Sequence, residues 1–361
     1  MKILRRNYSL YELYIFRKAF IGILFSYKKV INFFLVELSV LLRLKRNLGS
    51  PLHVLIEPTA RCNYQCVKCE KFIGTYEDDG LVEGSMDMSF GNFCKIIDDI
   101  GDRLLTLRLW HYGEPLLNES LFEMVKYAKK KNVFVVTSSN ISLLNEKAGR
   151  EMISSGLDYL IVSCDGASEH TYKLYHGRDC FNIVEKNLKG LIAEKKKSGS
   201  LLPFIELQFI IMRENEKEIE EIRKFADQLG VNKLTYLRLQ ANRLDIQRIK
   251  NVKSIEDILP QKNSFRFSDR DRARINFCCL PWEETVIRYS GLVIPCAFDI
   301  GQTKKMGRLF EEGAYIGLNK IWNNASYVSL RRHVRRELEN SPTCSCCEKR
   351  NNNNNDQINI Q

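Results

Sequence analysis

The run His53-Val54-Leu55-Ile56 is followed, after a three-residue break, by Ala60-Arg61-Cys62-Asn63-Tyr64-Gln65-Cys66-Val67-Lys68-Cys69. The apolar run reads as a strand, and the segment after it as a loop bearing three cysteines at C-x3-C-x2-C spacing. Three thiolates on one short loop can converge on one inorganic centre. Iron–sulfur clusters normally take four protein thiolates, and structural zinc takes four N or S ligands. Three leave one metal position open, where a small molecule can chelate, so the pattern points to chemistry more than to a staple.

Outward from this loop, strand-like apolar runs alternate with helix-like amphipathic segments. Strands are expected at roughly 53–57, 105–111, 133–138, 158–164, 204–212 and 233–239. Helical periodicity covers 117–131, 144–156, 181–197 and 215–229, the last with Asn215 as its expected N-cap. Alternation of this kind implies βαβ units and a parallel sheet, whose functional groups gather at the C-terminal strand ends.

On these residues the chain resembles the radical S-adenosylmethionine (SAM) superfamily. The resemblance implies an α/β fold, a partial (β/α)6 TIM-type barrel. It also implies a 4Fe–4S cluster on Cys62, Cys66 and Cys69, with SAM on the open iron. One electron would then cleave SAM to a 5′-deoxyadenosyl radical that abstracts a substrate hydrogen. A flavodoxin- or ferredoxin-type protein would donate that electron.

Further motifs fall at the expected strand ends. Tyr112-Gly113-Glu114-Pro115 stands where relatives hold Gly-Gly-Glu, which implies Gly113 and Glu114 as contacts to the SAM amino group, with Tyr112 replacing the first glycine. Thr137-Ser138-Ser139-Asn140 offers Asn140 or Ser138 to the ribose, although such residues are also ordinary in loops. Ser163-Cys164-Asp165-Gly166 resembles a Ser-x-Asp-Gly pattern whose serine faces the SAM ribose or carboxylate, which implies Ser163 and Asp165 as SAM contacts. Ser163 and Asp165 would share one face of the strand, with Cys164 packed outward. His176, Arg178 and Arg213 are candidates for the SAM carboxylate, a guanidinium being the better partner. Lys68 stands where relatives place an apolar contact to adenine.

A second cysteine group comprises Cys278-Cys279, Cys296 and Cys344-Ser345-Cys346-Cys347. A hairpin turning at Ser290-Gly291 would bring Cys279 near Cys296, and Cys344 with Cys347 would complete a set suited to zinc or 4Fe–4S. With Gly307-Arg308-Leu309 and Ile321-Trp322-Asn323, this stretch resembles the SPASM/twitch module, a small α+β Fe–S unit, and implies one auxiliary 4Fe–4S cluster. Cys278 and Cys346 are spares that could replace their neighbours. Cys94 and Cys180 fall in helical stretches and read as buried apolar residues.

The organisation expected is a helical leader at 1–50, the barrel at 51–240, a polar linker at 241–275, the auxiliary module at 276–350 and a disordered tail at 351–361. Composition is that of a soluble globular protein, 44% hydrophobic and 27% charged. Clustered cysteines without a signal-peptide pattern read as metal ligands in a reducing cytoplasm. The net charge of +11 is concentrated in residues 1–50, where ten Lys/Arg face only Glu12 and Glu37; no nucleic-acid partner is expected. The leader's uncharged stretches fall short of the about 20 apolar residues a span requires. It reads either as helices packed on the barrel or a partner, or as a basic amphipathic contact of residues 1–45 with the inner membrane surface.

The functional expectation is a dehydrogenase-type oxidation of a carbohydrate-like or peptide substrate, the auxiliary cluster taking the second electron. Peptide maturation is an alternative. So, more remotely, are a zinc-holding binding protein without catalysis and a peripheral membrane scaffold.

Overall fold

The structure is a computed structural model that describes residues 26–67, 69, 71–72, 86–239, 253–262, 278–297, 304–336 and 357–358. Six parallel strands follow in sequence order: β1 (His53–Ile56), β2 (Thr106–Leu109), β3 (Phe134–Ser139), β4 (Tyr159–Ser163), β5 (Phe204–Ile211) and β6 (Lys233–Arg238). All six lie where the apolar runs place them.

Helix α1 (Tyr27–Leu41) precedes the sheet, and α2 (Phe90–Ile100), α3 (Leu121–Lys129), α4 (Glu146–Ser154), α5 (Glu169–His176), α6 (Phe181–Lys197) and α7 (Ile219–Leu229) connect its strands. Local chemistry sets several starts. Ser89, Asn145 and Ser168 each accept a backbone N–H of the first turn, ahead of α2, α4 and α5. Asn215 does not cap α7, which starts after Glu218. Its buried amide instead donates to the carbonyls of Asp165 and Ile210 and accepts from Met212 N–H, pinning the β5 exit. One continuous apolar core joins the outer face of the sheet to these helices, from Val54 and Leu107 to Leu160, Leu207 and the α2 residues Phe93, Ile96 and Ile97.

The C-terminal region does not stand apart from this sheet. After the short α8 (Leu280–Glu283), β7 (Glu284–Ile287) pairs in parallel with β1, His53 opposite Glu284 and Ile56 opposite Ile287. An antiparallel hairpin through Gly291 (φ +81°) leads to β8 (Leu292–Ile294) and then β9 (Gly307–Arg308). The ladder β10 (Phe310–Glu311) with β11 (Ala314–Tyr315) precedes α9 (Leu318–Trp322) and α10 (Ala325–Arg336). At the other edge, β12 (Gln357–Ile358) pairs antiparallel with β6. The tail expected to be disordered therefore supplies an edge strand there. Residues 1–25, most of the 241–275 segment, Lys68, Cys344, Cys346 and Cys347 lie outside the described residues.

Candidate active site

The cysteine loop leaves the C-terminal end of β1 and is clamped from two sides. On one side Arg61 grips Asp87 through Nε (3.0 Å) and Nη2 (2.5 Å), while Arg61 N–H donates to Thr59 Oγ1. On the other, α5 lies against the loop. Val67 N–H donates to Tyr175 O (2.9 Å), Tyr172 OH to Tyr64 OH (3.2 Å), and Cys66 Sγ meets His176 Nδ1 at 3.3 Å. Gly177 closes α5 in the left-handed region (φ +72°), and a Cβ there would come within 3.0 Å of Gln65 O.

Cys62, Cys66 and Cys69 are all partly exposed on this loop. Burial, then the neighbouring Cys69 and Cys62, pushes the Cys66 thiol well above its ordinary range; burial also raises Cys62. Among the described residues no three Cys, His, Asp or Glu groups form a ready-made metal cage. The three thiols are close neighbours that resist ionising together, and a cationic iron centre relieves that resistance by taking them as thiolates. The donor set fits an iron–sulfur cluster with one open corner.

The residues expected around SAM surround this loop, though several are already engaged. Gly113 lies against it so closely that a Cβ would fall 2.0 Å from Thr59 O and 2.7 Å from Arg61 O, and Glu114 N–H donates to Arg61 O. The buried Glu114 carboxylate accepts from Ser139 Oγ (2.6 Å), Asn140 N–H (2.9 Å) and Leu116 N–H (3.1 Å), tying the β2 and β3 ends together. Burial outweighs these bonds and raises its pKa. Asn140 Nδ2 donates to Asn63 Oδ1 in the loop (3.0 Å), a partner the sequence reading missed.

Asp165 is buried, accepting from Ile210 N–H (2.7 Å) and Ser163 Oγ (3.1 Å), so it locks β4 to β5. Cys164 is fully buried in the core on the other side. His176, expected at the SAM carboxylate, is 2% exposed with both ring nitrogens committed inside the protein, Nδ1 to Cys66 and Nε2 to Asp165. Arg178 is exposed and close enough to Cys62 to act on it electrostatically. Arg213 turns instead to the 253–262 segment, donating to Glu256 O. Cys94 and Cys180 are half-buried rather than buried, with Cys180 packed against the main core.

A buried ion pair that the sequence reading did not single out stands beside the loop. Glu57, directly after β1, accepts from Arg288 Nε at 2.5 Å, and both side chains are fully buried. Burial alone would raise the Glu57 pKa, but His111 and Arg288 overcome it and hold it at about 2. His111 Nδ1 is 3.7 Å from Oε1, too long for a hydrogen bond, so Arg288 is the partner that fixes the charge. Arg288 belongs to the hairpin after β7, so this pair joins the barrel to the C-terminal region. A charged residue ending an apolar strand run was its one visible signal.

Cys279 lies just before α8, its thiol donating to Glu283 Oε2 (3.3 Å). Continuing the β7–β8 register places Cys296 across from Glu284, one short helix from Cys279. Arg331 of α10 donates to Pro281 O (2.9 Å), so α10 packs at this corner. Because β7 runs parallel to β1, Cys279 and Cys296 sit at the N-terminal end of the strand pair, opposite the Cys62 loop.

Comparison with known proteins agrees with this arrangement. Residues 56–226 match the Radical SAM superfamily and residues 278–348 match SPASM, an iron–sulfur cluster-binding domain; together these take in about two thirds of the chain. A cofactor-modifying protein for tungsten-containing aldehyde ferredoxin oxidoreductase from Pyrococcus furiosus is 24% identical over 326 residues, 82% of this chain and 87% of that one. Among solved structures, Streptococcus suis SuiB bound to its precursor peptide SuiA is similar at TM-score 0.58 and 14% identity, over 82% of this chain and 69% of that one. The anSMEcpe structure with bound AdoMet is similar at TM-score 0.54 and 14% identity, over 82% and 88%. The chain belongs to the radical SAM superfamily and carries a C-terminal SPASM domain, so its cofactors are a SAM-binding 4Fe–4S cluster, SAM and auxiliary iron–sulfur.

Proposed function

We propose that this radical SAM enzyme oxidises a carbohydrate-like or peptide substrate by a dehydrogenase-type reaction, with Cys62, Cys66 and Cys69 holding the SAM cluster. The observation that carries this reading is the three-cysteine loop on the C-terminal end of β1, clamped by Gly113 and α5. When bound, the cluster and SAM supply a one-electron cleavage whose deoxyadenosyl product takes a hydrogen atom from substrate.

The chain's own residues support that chemistry by position. Glu114 and Asn140 fix the β2 and β3 ends beside the loop, and Gly113 lets backbone and loop approach each other. Ser163 borders the same mouth, with Asp165 holding it against β5. Arg178 is the cation best placed for a carboxylate near Cys62. Cys279 and Cys296, with Cys344 and Cys347, would hold one auxiliary cluster. Strands of four residues separate the two cysteine groups by about 13 Å at the least. That spacing suits an electron acceptor better than a second ligand to the reacting carbon. A ferredoxin- or flavodoxin-type protein would supply the first electron. We also place the enzyme in the cytoplasm, at the inner membrane surface through residues 1–45.

Anaerobic purification with iron and sulfide counting tests this reading. About eight irons per chain support two clusters and about four support one. Replacing Cys62, Cys66 and Cys69 together by Ala should abolish 5′-deoxyadenosine formation under dithionite while auxiliary iron stays bound. Undiminished deoxyadenosine from that variant contradicts the assignment.

A further inference from the structure

Helix α1 packs Val36, with Phe33 and Val40 beside it, on Leu52 and Leu105, yet it also buries polar residues and leaves a row of apolar ones exposed. The face it lays on the barrel carries Lys29, Asn32, Val36 and Ser39, all buried. Lys29 Nζ donates to the carbonyls of Leu104 (2.7 Å) and Asn132 (2.8 Å), and Asn32 Nδ2 to those of Ser50 and Arg103 (3.1 Å each). The opposite face presents Tyr27, Ile31, Phe34, Leu38 and Leu41, which are 73, 53, 65, 42 and 60% exposed. These positions recur at intervals of four, three, four and three residues, which makes one apolar stripe along the helix. A single exposed leucine is ordinary, but a contiguous stripe marks an interaction surface.

Charge indicates what covers it. Exposed Arg43, Lys45 and Arg46 follow the stripe, with exposed Leu42 and Leu48 among them. In sequence it is preceded by Lys2, Arg5, Arg6, Arg17 and Lys18 against a single acidic residue, Glu12. Apolar side chains with Lys28, Arg43, Lys45 and Arg46 around them, against Glu37 as the one acidic residue of the helix, complement an anionic lipid interface, chains in the acyl boundary and cations among the headgroups. A groove of about 400 Å³ beside the helix, lined in part by Tyr27, Ile31, Leu35 and Leu48, includes Asp99, which accepts from Tyr315 OH and Leu318 N–H, and Asp102. The Asp102 carboxylate is neutralised by Lys28 (2.8 Å) and Lys131 (3.2 Å). Among the described residues no helix is long and apolar enough to cross a membrane, so α1 would lie on the surface.

We propose that α1 is an interfacial helix docking its Tyr27–Leu41 stripe onto an anionic lipid surface, which rests on the peripheral placement above and fixes its orientation. The carbonyls held by Lys29 precede β2 and β3, at the N-terminal end of the parallel strands. The Cys62 loop follows the C-terminal end of β1. Docking through α1 therefore sets the barrel floor on lipid and turns the site toward water. The substrate arrives from the aqueous side.

The test is flotation of the holoenzyme with phosphatidylcholine vesicles, with and without phosphatidylglycerol. Wild type should float on the anionic vesicles and lose binding at high salt. Replacing Ile31, Phe34 and Leu38 together by Glu should reduce binding at least about tenfold without changing deoxyadenosine formation or Tm. Replacing Arg43, Lys45 and Arg46 by Ala should remove the preference for anionic lipid. Wild type that does not float overturns both the peripheral placement and the docking face. Wild type and Glu variant floating equally overturns the α1 assignment alone. A dimer split by the Glu variant, with flotation unchanged, makes the stripe a self-contact and also overturns it. Hydrogen exchange on vesicles should protect 27–48 and leave 62–69 as in solution; protection of the loop would refute the orientation.

Discussion

His176 occupies the space between Cys66 and the β4 exit. Its Nε2 lies 3.4 Å from Asp165 N–H and 3.3 Å from Asp165 Oδ2, and its Nδ1 lies 3.3 Å from Cys66 Sγ; in the tautomer whose Nε2 accepts from Asp165 N–H, Nδ1–H is aimed at that sulfur. A hydrogen bond to a cluster sulfur favours the reduced state. His176→Leu should therefore make the SAM cluster harder to reduce, read as a more negative midpoint in an EPR-monitored titration. An unchanged midpoint with cluster content intact would remove that role. Lys29 makes a separate prediction about pH. Burial first, then Lys129, lowers its pKa to about 8 from 10.5. Between those values the unfolded chain binds more protons than the fold, so the Lys29 contribution to stability rises with pH across that window. The rise is on the order of 3 kcal/mol at most. In urea titrations, the stability difference between wild type and Lys29→Met should grow from pH 8 toward 10.5; a flat difference would count against it.

At the scale of elements, the contact between the β2 exit and the cysteine loop is the tightest described. A Cβ on Gly113 would sit 2.0 Å from Thr59 O, a clash between backbones that no rotamer relieves. Gly113→Ala should cost several kcal/mol, on the order of 3 or more, and release iron from the first site before the auxiliary one. Iron retention and Tm equal to wild type would show that the loop tolerates displacement. The same elements show what a sequence can disclose. All six strands were legible from their apolar residues, nearly continuous in β1 and β4 and interleaved with Arg108 in β2, Glu206 and Gln208 in β5, and Lys233 and Thr235 in β6. Helix α5 was not legible: it has eight residues, and its buried positions are Thr171, Tyr172 and His176. Helix α2 carries Phe93, Ile96, Ile97 and Ile100 at helical spacing, but Gly91 and Asn92 in its first turn weaken the signal. The site followed the same division. The cysteines were visible from spacing, whereas the internal engagement of Glu114, Asp165 and His176 depends on contacts between distant segments.

For the whole molecule, the parallel pairing of β7 with β1 makes barrel and SPASM region one sheet, a non-local choice that hairpin signals near Ser290 could not reveal. The Glu57–Arg288 pair adds a buried charge to that seam. Either Glu57→Gln or Arg288→Met alone should destabilise by about 3–5 kcal/mol, because each strands the other group, and the double variant should cost less than the sum of the two. Additive losses would mean that the pair is not coupled. Urea unfolding of the wild type should be a single transition across both regions, and two resolved transitions would show that the seam is weak.

The two flanks of the β1–β6 ladder are both met by residues from position 284 onward, β7 at one side and β12 at the other. During synthesis, then, the barrel half emerges with two unpaired rims of backbone amides and carbonyls, a template for misassociation until the later residues arrive. Nascent chains stalled before residue 284 should depend heavily on chaperones. Appendages fused close behind Ile358 would press on a rim that the finished protein keeps covered.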